Sequence, residues 1–389
     1  MTPRVLSMKN LKIGIVCYPS IGGSGIVATN LGNELAKLGH QVHFIAYEPP
    51  FRLNLNAPNI YFHKVNINKY DLFKYPDYTL PLAVTIEQVQ RKYNLDVLHV
   101  HYAVPHATAA LLARRIMRQN NTSLPKIVTT LHGTDITLLA RDKNLLDIIK
   151  YSIERSHCVT AVSQSLKNDT LKVLKTKKLI KVIYNFYTPL PATISRERVR
   201  KGLRIKDNDF LAIHLSNLRP VKRIPDLLKI ATLMRSHKNF KLLVLAGEPF
   251  AKYQPLVKKL KLKNIIVKEN VKDVENYLNA ADFGIYTSQD ESFGMGILET
   301  MSYGKPVLAT LTGGVPEVMR NGIDGYLLKV GDTKSFVDKI KMLLNNPELI
   351  KNLGQNAAKR AKKKFSADVI VKQYLERYTQ TCKQEKDLL

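Results

Sequence analysis

Short apolar runs alternate with helical patterns from one end of this chain to the other. The first series of runs predicts strands at 11–17, 41–47, 60–65, 96–100, 126–131, 157–162 and 181–184. Helical patterns lie between them, for example at 25–38 and 106–118, and the first ends at Gly39, a typical helix C-cap. Strands that alternate with helices predict a parallel, doubly wound sheet.

A second series of the same kind follows an irregular stretch. Its apolar runs predict strands at 210–216, 241–246, 264–268, 282–286, 306–309 and 325–328. The stretch between the series, "YNFYTPLPATIS" at 184–195, contains two prolines and is typical of a linker. Everything after about residue 333 has a helical pattern. The sequence therefore predicts an α/β protein with two Rossmann-like domains, divided near residue 186.

The charge of the chain is unusually positive. Its 389 residues carry 60 Lys and Arg against 32 Asp and Glu, a formal net charge of +28. Such a field attracts nucleic acid, anionic membranes or small acidic substrates. The basic clusters at 175–181, 258–264 and 359–365 are dispersed, however, and each is typical of a solvated helix face or loop.

The sequence also bears on location. No apolar stretch reaches the roughly 18 residues of a membrane span. The first residues lack the apolar core of a signal peptide, and we assign no function to residues 1–7. The three cysteines show no metal-binding or redox spacing. We therefore expect a cytoplasmic protein with no membrane span.

A glycine-rich loop follows the first predicted strand. In "YPSIGGSGIVA" (18–28) a relaxed dinucleotide fingerprint, G-x-G-x-x-A, is formed by Gly23, Gly25 and Ala28. Glu48 lies near the place of the acidic residue that binds a ribose in nicotinamide enzymes. The loop is longer than a dinucleotide turn, so a nicotinamide-dependent enzyme is the minor alternative.

The same loop suits an anion of another kind. Gly22 and Gly23 carry no side chains, so backbone N–H groups at a helix start can bind an anion, and Ser24 adds a hydroxyl. Two further strands end in polar residues, with "HVHYAVPH" at 99–106 and "TTLHGTDITLL" at 129–139. The alternating histidines of the first segment share one strand face without acidic partners, so we predict no metal site.

The second series carries two charged loops after its strands. In "LSNLRPVKR" (215–223) Arg219 and Lys222 can bind phosphate oxygens and suit a diphosphate leaving group. In "DESFGMGILETMSYGKP" (290–306) Glu291 lies in a loop and Glu299 on the following helix. Two acids so placed can bind hydroxyls on two parts of one ligand, such as a sugar and a ribose.

Together these motifs resemble the family 4 glycosyltransferases, retaining enzymes of the GT-B fold. The E-x7-E pattern from Glu291 to Glu299 is the mark of that family, and "RPVKR", "HGTD" and "GGVPE" occur in the family order. The resemblance implies two Rossmann-like domains facing a central cleft, with the acceptor-binding domain at 1–186 and the nucleotide-sugar domain at 187–365. It also implies that a C-terminal helix, 366–389, crosses back to the first domain.

Longer segments resemble particular members of this family. "CYPSIGGSGIVATNLG", "HVHYAVPHA", "TTLHGTDIT" and "IYNF" are similar to members that transfer GlcNAc from UDP-GlcNAc to the hydroxyl of L-malate, the first step of bacillithiol biosynthesis. That resemblance implies a UDP-sugar donor, a small dicarboxylic acid acceptor, no cofactor, no metal, and a homodimer or homotetramer.

Residue roles are also implied by the resemblance. Donor-binding positions would be Gly23, Asn217, Arg219, Lys222, Glu291, Phe293, Gly294, Met295 and Glu299. Acceptor-binding positions would be Gly22, Gly23, Ser24, Tyr102, Thr130 and Asn185. The catalytic set would be Glu291, His132, Arg219 and Lys222.

Two other functions compete with this interpretation. A family 4 enzyme acting on a lipid at a membrane surface would use the positive charge to bind anionic lipid. A nucleic-acid-binding protein would use it too, but the chain has no Trp and no recognisable nucleic-acid module. We therefore expect no nucleic-acid partner.

Overall fold

The computed structural model describes residues 10–20, 23–67, 77–139 and 142–384. Contacts divide the chain into two units, each built on its own sheet. The first unit runs to Ile183 and resumes at Ile370, and the second is Tyr184–Val369. The irregular segment predicted as a linker, 184–195, contains neither helix nor strand.

The first unit is a parallel sheet with helices between its strands. Its strands are β1 (Lys12–Val16), β2 (Gln41–Ala46), β3 (Ile60–Lys64), β4 (Val97–His101), β5 (Lys126–Leu131), β6 (Cys158–Ala161) and β7 (Ile180–Val182). They pair in the order β3-β2-β1-β4-β5-β6-β7. Every pair is parallel.

Helices connect these strands along the chain and pack with their apolar sides on the faces of the sheet. They are α1 (Ser24–Lys37), α2 (Thr79–Tyr93), α3 (Thr108–Gln119), α4 (Lys143–Glu154), α5 (Gln164–Leu174) and the C-terminal α14 (Ala367–Cys382). α1 ends at Lys37, and the predicted C-terminal glycine, Gly39, follows the C-cap residue Leu38 with a φ of 89°. Gly39 N–H donates to Ala36 O (3.0 Å) and His40 N–H to Leu35 O (3.2 Å), which satisfies two carbonyls of the last turn.

The centre of this sheet is buried on both faces. β4 is buried at each of its five positions, including the histidines His99 and His101. α14 covers one face of the sheet, where Tyr374 and Tyr378 are fully buried and Tyr378 Oη lies 2.7 Å from His99 Nδ1. From Ile370 onward, the C-terminal helix is therefore part of the first unit's core.

The second unit repeats this architecture. Its strands are β8 (Phe210–Ser216), β9 (Phe240–Ala246), β10 (Ile265–Glu269), β11 (Phe283–Tyr286), β12 (Val307–Thr310) and β13 (Gly325–Leu328). They form a parallel sheet in the order β10-β9-β8-β11-β12-β13. Its helices are α6 (Arg196–Gly202), α7 (Ile224–Leu233), α8 (Gln254–Lys259), α9 (Val274–Ala280), α10 (Met295–Ser302), α11 (Val315–Val318), α12 (Thr333–Leu344) and α13 (Pro347–Phe365).

Both sheets therefore have the doubly wound form that the alternating pattern predicts. In each sheet the strand order reverses direction at one point, between β1 and β4 in the first unit and between β8 and β11 in the second. Loops at the carboxyl ends of the strands diverge at such a point and leave room for a ligand. The two reversal points therefore set where a site is expected in each unit.

Candidate active site

The loops at the reversal point of the second unit are joined by hydrogen bonds. The loop after β11 is attached to the loop after β8, because Thr287 Oγ1 donates to the carbonyl of Lys222 at 3.0 Å. It is also attached to the loop after β12, since Gly314 N–H donates to Glu291 O at 2.8 Å. A Cβ on Gly313, whose φ is +47°, would lie 2.2 Å from that same Glu291 oxygen, so glycine is required there.

Lys222 and Glu291 form an ion pair across these loops. Lys222 Nζ lies 2.5 Å from Glu291 Oε2, and each side chain is 17% exposed. Ser288 Oγ donates to the same carboxylate oxygen at 3.1 Å. The structure thus brings together two residues that the sequence assigned to one donor site, and it adds Ser288, which sequence reasoning missed.

Helix α10 begins at Met295, four residues after Glu291 in the chain. Gly294 caps it with a φ of 100°, and the first-turn N–H groups from Met295 onward have no partner within the helix. Phe293 is buried, and its ring contacts the rings of Tyr184 and Phe365, with centroids 6.1 and 5.6 Å away. Its backbone, rather than its side chain, is therefore the part that a donor can contact.

Tyr286 sets the position of this helix. Its hydroxyl donates to Gly296 O at 2.7 Å and contacts Thr300 Oγ1 at 2.7 Å. Burial raises the pKa of Tyr286 well above its usual range, and the negative charges of Glu299 and Glu291 raise it further. Glu299 is itself buried, at 8% exposure. Both acids of the E-x7-E pattern therefore lie close enough to the Tyr286 hydroxyl to disfavour its ionisation.

A buried histidine supports the end of β8, and the sequence analysis did not single it out. His214 Nδ1–H donates to Ile285 O at 2.8 Å, and its Nε2 lies 2.8 Å from Ser216 Oγ. Burial lowers the pKa of His214 to about 4, so the ring is neutral and Nε2 accepts from Ser216. The sequence could have indicated this contact, because His214 and Ser216 are two residues apart on one strand and therefore share a face.

Two further residues of this unit that the sequence predicts to bind the donor, Asn217 and Arg219, follow β8 directly. Arg219 is exposed, and its backbone N–H donates to Asn217 O at 2.8 Å. Asn217 Oδ1 is buried and has no hydrogen-bond partner within the described part of the chain. The loop that carries Lys222 therefore also presents an exposed guanidinium, and it holds an amide oxygen that has no partner among the described residues.

In the first unit, the glycine loop lies at the corresponding reversal point. Gly23 has a φ of 56° and precedes α1, whose first residue, Ser24, is 6% exposed. A Cβ on Gly25 would lie 2.7 Å from the carbonyls of Tyr18 and Ser20, so a larger residue does not fit at this position of the helix start. Gly22 lies outside the described residues, so its predicted role stays a prediction.

His132 follows β5 and is paired with a buried histidine of β4. His132 Nε2 lies 2.8 Å from His101 Nδ1, and the two rings are stacked at 5.1 Å. Burial lowers the pKa of His132 to about 3 and that of His101 well below its usual range. The sequence placed His99 and His101 on one face, which their 4.5 Å ring separation confirms, but it did not pair either with His132.

Tyr102 is held beside His132 in an unusual backbone conformation. Its φ is +89°, its N–H donates to Thr130 O at 3.0 Å, and its ring lies 5.3 Å from that of His132. Asp135 accepts from the backbone N–H groups of Gly133 (3.1 Å) and Ala103 (3.3 Å), which ties the loops after β4 and β5 together. Burial raises the pKa of Asp135 to about 6.

Two predicted acceptor residues occupy different surroundings. Thr130 is fully buried, and its hydroxyl lies 2.7 Å from both His99 Nε2 and Thr160 Oγ1. The predicted contact of this buried hydroxyl with an acceptor stays a prediction. Asn185 belongs to the second unit, is 4% exposed, and leaves its Oδ1 without a partner among the described residues.

Metal ligands do not cluster in the described part of the chain: it contains no group of three or more His, Cys, Asp and Glu side chains that could hold a metal ion. Within the same residues, no helix is long and apolar enough to cross a membrane.

The fold and two family models define the class of protein. The model described as Glycosyltransferase Family 4 matches residues 21–189, and the model described as Glycosyl transferases group 1 matches residues 195–360. Among solved structures, a glycosyltransferase from Rickettsia africae has a TM-score of 0.79 at 23% identity, covering 97% of this chain and 100% of that one. Anabaena HepE, solved with UDP and glucose, has a TM-score of 0.80 at 20% identity, covering 95% and 100%. The protein is a glycosyltransferase, and its GT-B fold class is confirmed.

Sequence relatives narrow the class to a family. The N-acetyl-alpha-D-glucosaminyl L-malate synthase of Bacillus anthracis is 42% identical over 381 residues, which cover 97% of this chain and 99% of that protein. An uncharacterized glycosyltransferase of Methanocaldococcus jannaschii is 28% identical and covers 90% of this chain and 92% of its own. The chain therefore belongs to glycosyltransferase family 4.

Proposed function

We propose that this enzyme transfers GlcNAc from UDP-GlcNAc to the hydroxyl of L-malate, with retention at the anomeric carbon, as the first step of bacillithiol biosynthesis. The observation that carries the proposal is the 42% identity to the Bacillus anthracis synthase across 97% of this chain. A match of that length includes the loops of both units, where donor and acceptor residues would lie.

In this proposal, the second unit binds the donor. Lys222 and Arg219 neutralise the diphosphate, a role that suits an ammonium and a guanidinium. Glu291 binds hydroxyls of the sugar and Glu299 the hydroxyls of the ribose. The N–H groups at the start of α10, which follows Gly294, add a positive dipole end for the phosphates. No metal and no cofactor is needed, since these groups supply the positive charge.

The acceptor is bound by the first unit in the same proposal. Gly22 and Gly23 offer backbone N–H groups, Ser24 its hydroxyl and Tyr102 its phenol to the carboxylates of malate. The net charge of +28 favours a dianionic acceptor over a neutral one. His132 contacts the transferred sugar and orients it. We further propose that the enzyme is cytoplasmic and works as a homodimer or homotetramer.

The proposed reaction is a front-face transfer. The bond between the anomeric carbon and the diphosphate oxygen breaks, and the malate hydroxyl oxygen forms the new bond from the same side of the sugar. The hydroxyl proton moves to the departing phosphate oxygen, so no protein base is required. Catalysis then depends on positioning the substrates and on stabilising the negative charge of the leaving group. The ammonium group of Lys222 provides that stabilisation.

UDP release from UDP-GlcNAc in EDTA, with and without L-malate, tests this proposal. Malate-dependent release, with an α-linked product by NMR, would support donor, acceptor, stereochemistry and metal independence together. The variant Lys222→Ala should slow release on the order of 100-fold or more, whereas Lys252→Ala, in an exposed pair with Glu248, should not slow it. No release with malate would contradict the proposal and direct the search to other sugar nucleotides and to lipid acceptors.

A further inference from the structure

The pair formed by His101 and His132 has only two neutral arrangements. The atoms in contact are His101 Nδ1 and His132 Nε2, 2.8 Å apart, and one of them must carry the proton. His101 is fully buried on β4, whereas His132 is partly exposed at the end of β5. The arrangement that the protein adopts decides which proton His132 can offer to a ligand.

The surroundings of His101 distinguish the two arrangements. Its second nitrogen, Nε2, is buried and has no hydrogen-bond partner among the described residues. If His132 donated to His101, the proton of His101 would sit on this Nε2 as a buried N–H without an acceptor. If His101 donates, Nε2 is a bare acceptor instead. Buried donors without partners are rarer than buried acceptors without partners.

Neither ring is expected to gain a second proton. The groups that face the pair are the neutral rings of His99 and His106, the phenol of Tyr102, and Asp135 on the loop of His132. His106 Nδ1 contacts the carbonyl of His101, which can only accept, so His106 is the Nδ1–H form. Burial holds the pKa of both paired histidines below the physiological range.

We propose that His101 is a positioning residue that fixes the tautomer of His132. His101 Nδ1–H donates to His132 Nε2, which leaves the only proton of His132 on Nδ1. His132 then meets the transferred sugar as a neutral hydrogen-bond donor and not as a base. This inference rests on the proposed function only for the contact with the sugar, since the tautomer is a property of the free protein.

The tautomer can be read by NMR in the absence of substrate. Nitrogen-15 labelling of the ten histidines, with His132 assigned from a His132→Gln sample, separates protonated from unprotonated ring nitrogens. The expected result is an unprotonated Nε2 and a protonated Nδ1 at His132 between pH 6 and 8. A protonated Nε2 at His132 would overturn the proposal.

Two substitutions of His101 test its role in transfer. His101→Asn keeps a donor close to the position of Nδ1, whereas His101→Phe keeps the ring volume and removes the donor. In the Phe variant nothing holds His132 in the Nδ1–H form, so we expect the Nε2–H form to appear as well. We expect kcat to fall on the order of tenfold to a hundredfold. The Asn variant should restore both the tautomer and most of kcat.

The control is a second histidine pair in the same unit. His43 Nδ1 lies 2.9 Å from His63 Nε2, so His63→Gln removes a similar contact at another place in the sheet. It should change neither the His132 signals nor kcat. If His101→Phe changes the tautomer but leaves kcat unaltered, the positioning assignment fails together with the sugar contact of His132, while malate-dependent UDP release would still stand.

Discussion

Lys222 Nζ and Glu291 Oε2 lie 2.5 Å apart, so the cation and the acid of the candidate donor site neutralise each other. The pair joins the loop after β8 to the loop after β11, at the point where strand order reverses. A donor that places its diphosphate on Lys222 and its sugar on Glu291 must share or exchange this contact. The pair therefore keeps both side chains in position before the donor binds.

The first prediction concerns Lys222. Lys222→Ala should lower kcat on the order of 100-fold or more, because the charge of the leaving phosphate loses its partner. The free energy of unfolding should fall by about 1 to 3 kcal/mol, because the largely buried carboxylate of Glu291 loses its cation but keeps the hydrogen bond from Ser288. Steady-state kinetics and urea unfolding measure both quantities, with Lys252→Ala as the matched control. Full activity of Lys222→Ala would show that the donor site lies elsewhere.

The second prediction separates the roles of the two acids. Glu299→Gln should raise the Kd of UDP roughly tenfold, since an acid that binds the ribose acts on nucleotide and donor alike. Glu291→Gln should leave UDP binding within about twofold and lower kcat, because its proposed partner is the sugar. Calorimetric titration with UDP distinguishes the two. Equal loss of UDP affinity in both variants would contradict the assignment.

Much of the fold could be predicted because its signals are local. Each predicted strand appears within one or two residues, since an apolar run bounded by turns marks a buried parallel strand wherever it lies in a sheet. The helix predicted to carry Glu299 is likewise present as α10, Met295–Ser302. Glu291 and Lys222 were found by their types and their places after strands.

The contacts of the site could not be predicted in the same way. His101 and His132 are 31 residues apart, and their contact depends on β4 and β5 being neighbours in a particular register. The burial of Thr130 beside His99 depends on the same register, which the hydrophobic pattern does not specify for strands buried on both faces. A polar residue at the end of a strand can therefore be predicted as a candidate site residue from the sequence. Its hydrogen-bond partners can be identified only once the strand order and register are known.

A third prediction follows from the buried histidines of the first unit. Burial lowers the pKa of His99 and His132 to about 3 and of His106 to about 4. Below pH 6.5 the unfolded chain binds these protons and the folded chain does not, so the free energy of unfolding should fall as the pH drops from about 6.5 to about 4. Asp135 works in the opposite direction, because its raised pKa stabilises the folded state as the pH falls below about 6, but it is one group against several.

A comparison of variants isolates this effect. His132→Gln should reduce the proton uptake on unfolding near pH 5.5 by about one proton, roughly 1.4 kcal/mol per pH unit. Urea unfolding at pH 7.5, 6.5, 5.5 and 5.0 measures it. An identical slope in His132→Gln and the unsubstituted enzyme would show that His132 is protonated in the folded state.

The last prediction uses two glycines of the second unit that differ in one respect. Gly313 and Gly322 both have a positive φ, +47° and +73°, so alanine is strained at either position. A Cβ at Gly322 meets no atom within 4 Å, whereas a Cβ at Gly313 would lie 2.2 Å from Glu291 O.

Gly322→Ala should therefore cost about 1 kcal/mol of unfolding free energy and leave kcat unchanged. Gly313→Ala should cost more and should also lower kcat, on the order of 100-fold, because it displaces the loop that holds Glu291 opposite Lys222. Equal kcat in the two variants would mean that the position of Glu291 does not limit the reaction.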